Sequence, residues 1–257
     1  MSLEPLTLTG FLQPILLGNG TLPPFFHTAK AKGFLGIMND SAIKPAHCPV
    51  FGEDLAYLFA GRPAYKSRDC AQSDYWLLPI IFALKPPIIS NPKRVFPFDS
   101  GAFKAGLFGD EFSDFQISDF EAPASLSSVR KLVDAFFGSN ERYATAKPKS
   151  KEEIVTEFKL EPSGYPIAAL AQMLNKPHND NFDDRNSTIE VQFSEDVPVT
   201  EHTIMGVVLA EEWLAEKRVK NALDKLNCPI KTYPVFPIRR ASYYSKIYEL
   251  CQEIGYV

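Results

Sequence analysis

The chain is poor in the features that most readily betray a function. Cysteine is scarce: the four residues are Cys48, Cys70, Cys228 and Cys251. No two of them stand at the C-x-x-C or Cys/His spacing that a zinc site or dithiol centre requires, and the adjacent His47-Cys48 pair does not supply it, so no metal is expected. No run approaches the roughly 18 apolar residues of a membrane span, and Met1-Ser2-Leu3-Glu4-Pro5 lacks the basic-then-apolar order of a leader, so the expected location is cytoplasmic. Net charge is only −4, which supplies no general attraction for nucleic acid and leaves that role to a local patch. A Gly-rich phosphate loop, regular βαβ spacing and internal repeats are also missing, which argues against a doubly wound nucleotide-binding fold.

What is present is an ordinary globular composition, 45% hydrophobic and 23% charged over 257 residues, enough for one sizeable core and read here as one domain spanning 1–257. Twenty-one prolines divide the chain finely, and the pattern predicts an α+β fold. Apolar segments at 22–28, 55–59, 77–84 and 203–209 read as strands, the third bounded by Pro86-Pro87. A short helix is expected over 30–39, an amphipathic helix over 211–226, an extended segment over 230–238 and a closing helix over 242–253. The middle of the chain, about 97–184, reads differently from its flanks. Val129, Leu132, Val133, Phe136 and Phe137 recur at helical spacing before the stop signal Gly138, and Ser150-Lys151-Glu152-Glu153 is a capping box.

Three stretches carry chemistry. His27-Thr28 closes an apolar strand where a helix begins, a geometry suited to ribose hydroxyls with the helix N-terminus open to negative charge; a satisfied structural histidine is the alternative. In Tyr57-Leu58-Phe59-Ala60-Gly61-Arg62-Pro63-Ala64-Tyr65, Gly61 and Pro63 constrain the backbone around Arg62. Its guanidinium could clamp a pyrophosphate or make a surface ion pair, and Tyr57 and Tyr65 could stack on a planar ring or simply fill the core. Glu190 lies in Thr188-Ile189-Glu190-Val191-Gln192-Phe193. Alternation puts Ile189, Val191 and Phe193 on one face and Glu190, with Gln192, on the other, toward either solvent or a cleft.

These residues, in this order, resemble the ADP-ribosyltransferase-like fold of the histidine, tyrosine, glutamate type, and within it the DarT family of toxins that ADP-ribosylate nucleic-acid bases. Pro24-Phe25-Phe26-His27-Thr28 with Phe34-Leu35-Gly36-Ile37-Met38 resembles the family's opening strand and helix. Tyr57-Leu58-Phe59 with Arg62 is similar to its Tyr-x-Phe-x-x-Arg segment, Arg94-Val95-Phe96-Pro97-Phe98-Asp99-Ser100-Gly101-Ala102 to an aromatic, Asp and Gly turn, and Thr188-Ile189-Glu190-Val191 to its glutamate strand. A proline follows Arg62 where the family has a small polar residue, and about 106–184 aligns with no family segment and reads as an insertion.

The resemblance implies a split mixed or antiparallel sheet with flanking helices and NAD as co-substrate. It also implies catalytic roles for Glu190 and Arg62, with His27, Thr28, Tyr57 and Tyr65 around the dinucleotide. The implied acceptor is DNA or RNA, with Lys66 and Arg68 beside Tyr65 and Tyr75, or Arg239-Arg240 beside Tyr243 and Tyr244, as candidate contacts; a protein acceptor or water stays open. Toxicity would imply a restraining antitoxin or immunity partner. A non-catalytic NAD- or ADP-ribose-binding module is the rival of another class, and a ligand-free structural protein would scatter Arg62, His27 and Glu190.

Overall fold

The computed structural model describes residues 4–64, 74–86, 91–176, 183–235 and 242–255. Its strands are β1 (Phe25–Ala29), β2 (Ala42–Ile43), β3 (Ala46–Cys48), β4 (Glu53–Ala60), β5 (Ile80–Leu84), β6 (Arg94–Phe96), β7 (Glu190–Phe193), β8 (Val197–Pro198), β9 (Ile204–Ala210) and β10 (Ile230–Tyr233). The main sheet runs β10-β9-β5-β1-β4-β7-β6, with β3 paired to β4, while β2 and β8 form a separate ribbon. Pairing is parallel between β9 and β10 and antiparallel between the other neighbours, so the class is α+β with a mixed-orientation sheet and flanking helices. Strand β5 is fully buried along its length, as a central strand covered on both faces must be.

One irregularity in this sheet positions everything else. Strands β1 and β4 share only the pairs Phe25↔Ala60 and Phe26↔Phe59. Beyond them β1 continues along β5 as far as Ala29↔Ile80. On its other edge β4 pairs with β7, from Phe59↔Glu190 to Ala56↔Phe193, and its first residues pair with β3.

Helix Ala31–Asp40 starts as soon as β1 ends, burying Phe34 and Ile37 at three-residue spacing, and stops at Ser41 in the left-handed region (φ 52°). Helix Leu126–Phe136 buries Val129, Leu132, Val133 and Phe136, and Gly138 (φ 81°) follows it. The capping box forms at Ser150: Glu153 N–H donates to Ser150 Oγ at 3.1 Å while Ser150 N–H donates to Glu153 Oε2 at 2.6 Å, opening helix Lys151–Glu157. Helix Ser242–Gly255 packs on β5, β9 and β10. Phe108, Phe112, Phe120 and Leu170, all within 106–184, belong to the same apolar cluster as Leu8 and Ile254, so that segment is built into the core.

The structure departs from the sequence pattern at several element ends; the expected strand over 22–28, for one, begins only at Phe25. The expected helix over 211–226 is a 3₁₀ turn at Glu211–Ala215, extended backbone at Glu216, and a helix at Lys217–Asp224. Trp213 explains the break. It packs on Phe34 and Tyr75, each at 5.3 Å between ring centroids, and an unbroken helix would turn Val219 and Leu223 away from the face that buries Trp213. The expected strand over 77–84 begins only at Ile80, because Tyr75–Leu77 is a 3₁₀ turn.

Besides the Ala122 N–H bond to the Val95 carbonyl at 3.0 Å, a buried hydroxyl joins the middle segment to the sheet. Tyr143, fully buried, donates to the Ala60 carbonyl at 2.6 Å and accepts from Ile189 N–H at 2.9 Å, joining the end of β4 to the entrance of β7. Tyr143→Phe keeps the ring and removes both bonds. Urea denaturation should therefore show a loss of about 1–3 kcal/mol, and an unchanged midpoint would show that the hydroxyl does not secure this junction.

Candidate functional site

A cavity of about 640 Å³ lies where β1 and β4 diverge, with His27, Thr28, Lys30, Tyr57, Asp99 and Glu190 among its lining residues. The His27 ring reaches the other side of the divergence, its Nδ1 lying 2.9 Å from the Tyr57 carbonyl oxygen. A carbonyl can only accept, so Nδ1 carries the proton and Nε2 is left as an acceptor. Burial lowers the His27 pKa, the bond to the Tyr57 carbonyl offsetting part of the effect, and the ring is neutral at physiological pH. Thr28 Oγ donates to the Pro63 carbonyl at 2.9 Å, which leaves that oxygen able to accept. Lys30 is the N-cap of helix Ala31–Asp40, a helix without a side-chain cap bond and without an acidic residue in its first turn. The N-terminal turn of that helix, with the positive end of its dipole, therefore begins at the cavity wall. Burial raises the Tyr57 hydroxyl pKa, and a hydrogen bond with the Cys48 thiol adds to it, so the phenol stays protonated.

Glu190 is the first residue of β7 and is 1% exposed. Its Oε1 accepts from Ser100 Oγ at 2.7 Å and Gln192 Nε2 at 2.6 Å, and its Oε2 accepts from Ser100 N–H at 3.2 Å. All of these donors are neutral. Burial, followed by the negative charge of Asp99, pushes the Glu190 pKa up to about 8, against the opposing pull of the Ser100 and Gln192 bonds. Burial and the Asp99 charge therefore favour the protonated carboxyl, and a cation arriving in the cavity would favour its ionised form.

Arg62 is placed differently from the sequence expectation of a pyrophosphate clamp. The cavity lining does not include it; it is 1% exposed, with Nη1 3.1 Å from Asp184 Oδ2 and Nη2 donating to the Ser187 carbonyl and hydroxyl. The guanidinium also lies 4.8 Å from the centre of the Tyr143 ring. Gly61 explains the aim. It turns through the left-handed region (φ 68°), its N–H donates to the Pro24 carbonyl at 2.7 Å, and the next side chain is carried under the sheet toward the 184–187 loop. Asp184 in turn accepts from Thr188 Oγ at 2.8 Å, so Arg62 fixes the loop that delivers Glu190.

Tyr65, Lys66, Arg68 and Arg239-Arg240 lie outside the described residues. Tyr243 and Tyr244 are buried, with Tyr244 lining the cavity, whereas Tyr75 and Trp76 are exposed. Asp99 and Ser100 were given no role from sequence, although Asp99-Ser100-Gly101-Ala102 carries an N-cap signal. Asp99 Oδ1 does accept from Ala102 N–H at 2.7 Å to open helix Ser100–Lys104. Among the described residues there is no group of three or more His, Cys, Asp or Glu that could hold a metal, and no helix long and apolar enough to cross a membrane. No family model, curated protein or solved structure matches the chain.

Two outcomes follow for stability. Arg62→Met leaves Asp184 buried without its cation and should lower the unfolding free energy by about 3–5 kcal/mol, whereas a loss below about 1 kcal/mol would show that this pair does not hold the fold. For Glu190, the folded-state pKa is above the unfolded one. Its contribution is therefore complete below the ordinary carboxylate range near 4.5 and is lost as pH rises through about 8. Denaturation of wild type and Glu190→Gln in parallel should show a wild-type stability falling by on the order of 1 kcal/mol per pH unit relative to the variant between about pH 5 and 8. Parallel curves would contradict a buried, protonated Glu190.

Proposed function

We propose that this chain is an NAD-dependent ADP-ribosyltransferase that acts on a nucleic-acid base. The observation that carries the proposal is the convergence of His27, Thr28, Tyr57 and Glu190, from separate stretches of sequence, on one cavity of about 640 Å³. That volume is within the roughly 300–1,000 Å³ usual for small-molecule sites. The chemistry of the lining suits the parts of a dinucleotide. His27 Nε2 and Thr28 Oγ are acceptors for ribose hydroxyls. Lys30 and the N-terminal turn of helix Ala31–Asp40 favour a pyrophosphate, the role first assigned to Arg62. Tyr57 offers a ring to a planar heterocycle.

Glu190 supplies the charge that the reaction needs. As the bond between the ribose anomeric carbon and the nicotinamide nitrogen breaks, the electron pair leaves with nicotinamide and positive charge builds on the sugar. An ionised carboxylate stabilises that charge. The acceptor nitrogen or oxygen then bonds to the anomeric carbon, and its proton passes to Glu190. The exposed Tyr75 and Trp76, shortly before the cavity residue Pro79, favour a base as acceptor, since exposed aromatic rings stack on bases.

The test is incubation with adenylate-labelled NAD in the presence of DNA, RNA, protein or buffer alone, following both nicotinamide release and the fate of the label. Label on nucleic acid is the expected result, label on protein or free ADP-ribose would reassign the acceptor, and no nicotinamide release under any condition would overturn the proposal. Glu190→Gln should lower release by about 10²–10⁴. In the wild type, kcat/KM should climb with pH and level off above about 8, as Glu190 ionises.

A further inference from the structure

Glu190 owes its orientation to a residue far away in sequence. Ser100, separated from it by 90 positions, donates to both carboxylate oxygens, the hydroxyl to Oε1 at 2.7 Å and the main-chain N–H to Oε2 at 3.2 Å. Ser100 is 1% exposed and is itself fixed on both sides. Asp99 N–H donates to the Arg185 carbonyl at 2.9 Å, and the Asp99 side chain caps the short helix that Ser100 begins. Gln192 supports the same oxygen as the Ser100 hydroxyl and also donates to that hydroxyl at 3.2 Å. Asp99 and Gly101 line the cavity on either side of Ser100, so this corner of the chain is part of the wall that presents Glu190.

We propose that Ser100 is the positioning residue of Glu190, holding both its oxygens in the orientation that meets a ligand, while Asp99 sets a second negative charge against the same carboxylate. Adjacent residues thus act on one group in opposite senses. The Ser100 bonds favour the ionised carboxylate and the Asp99 charge disfavours it. The other titratable groups at the cavity are His27 and Lys30 at the end of β1, His47 and Cys48 on β3, Tyr57 on β4 and Tyr244 on helix Ser242–Gly255. Burial lowers the His27 pKa and raises that of Tyr57, Arg94 on the neighbouring β6 is engaged by Glu53, and Arg185, bonded to Asp183, is the cation near Asp99. The turn at 99–100 therefore acts on Glu190 both through direct bonds and through a neighbouring charge.

The role in catalysis rests on the NAD proposal; the role in holding Glu190 does not, and two readouts separate them. Difference infrared spectra of each protein against its Glu190→Gln counterpart follow the Glu190 carboxyl as pH is varied, with no substrate added. Ser100→Ala should move the midpoint upward by about one pH unit, Ser100→Thr, which keeps both donors, should restore it, and Asp99→Asn, which retains a capping side chain, should move it downward. In turnover, Ser100→Ala should lower kcat for nicotinamide release about tenfold with KM for NAD little changed. An unmoved infrared midpoint in Ser100→Ala of normal denaturation behaviour overturns the proposal, as does failure of Ser100→Thr to restore it. Should Ser100→Ala not fold, Asp99→Asn decides: a downward midpoint supports the proposal and a fixed one overturns it. Absence of NAD cleavage by the wild type overturns the NAD chemistry while the infrared titrations still settle the part played by Ser100.

Discussion

The brevity of the ladder between β1 and β4 is the constraint on which the rest of the molecule turns. Past the pairs Phe25↔Ala60 and Phe26↔Phe59 the two strands part, each still paired on its outer edge, β1 with β5 and β4 with β7. Main-chain groups facing a gap inside a protein need partners, since an unpaired buried carbonyl or amide costs about as much as a lost hydrogen bond. At Tyr57 the partner is the His27 ring. The imidazole therefore does two things at once: its Nδ1 satisfies the edge of β4, and the tautomer that this imposes leaves Nε2 as an acceptor at the cavity.

Two buried polar clusters are strung along one stretch of chain, and their electrostatics contrast. At 184–188, Asp184 meets the Arg62 guanidinium and Ser187 and Thr188 complete the bonding, so charge is balanced internally. A few residues later Glu190 receives only neutral donors, with Asp99 adding negative charge nearby. A closed ion pair stiffens the entrance to β7, and a carboxyl group without a cationic partner among its hydrogen bonds follows it. Proteins seldom bury an unbalanced acidic group unless something else answers its charge, and a site that meets positive charge only during a reaction is one such case.

Much of the fold was legible because it is local. Apolar runs marked β1, β4, β5 and β9, and three-and-four spacing marked the helices after β1 and before Gly138. Strands β3 and β6, of three residues each, are too short for alternation to register. The broken helix at Glu216 depends on Trp213 meeting Phe34 and Tyr75, residues that no local pattern connects. Glu190 stood out from sequence as a charge within an apolar strand. Arg62 stood out too, but the Gly-Arg-Pro turn disclosed a constrained backbone without its direction, which is set by a loop 125 positions further on. Ser100 stood within the aromatic, Asp and Gly turn but carried no mark of its bond to Glu190, because that partner is 90 positions away and serine is at home at any helix start.

The Tyr143 hydroxyl has a consequence for how the protein can be divided. From sequence the region 106–184 reads as an insertion. Its tyrosine, however, sits between the last residue of β4 and the residue ahead of β7, accepting from one backbone and donating to the other. A shortened chain would lose the spacer that keeps those ends in register. Any minimal version of this molecule has to retain that span or replace it with another buried group that both donates and accepts a hydrogen bond.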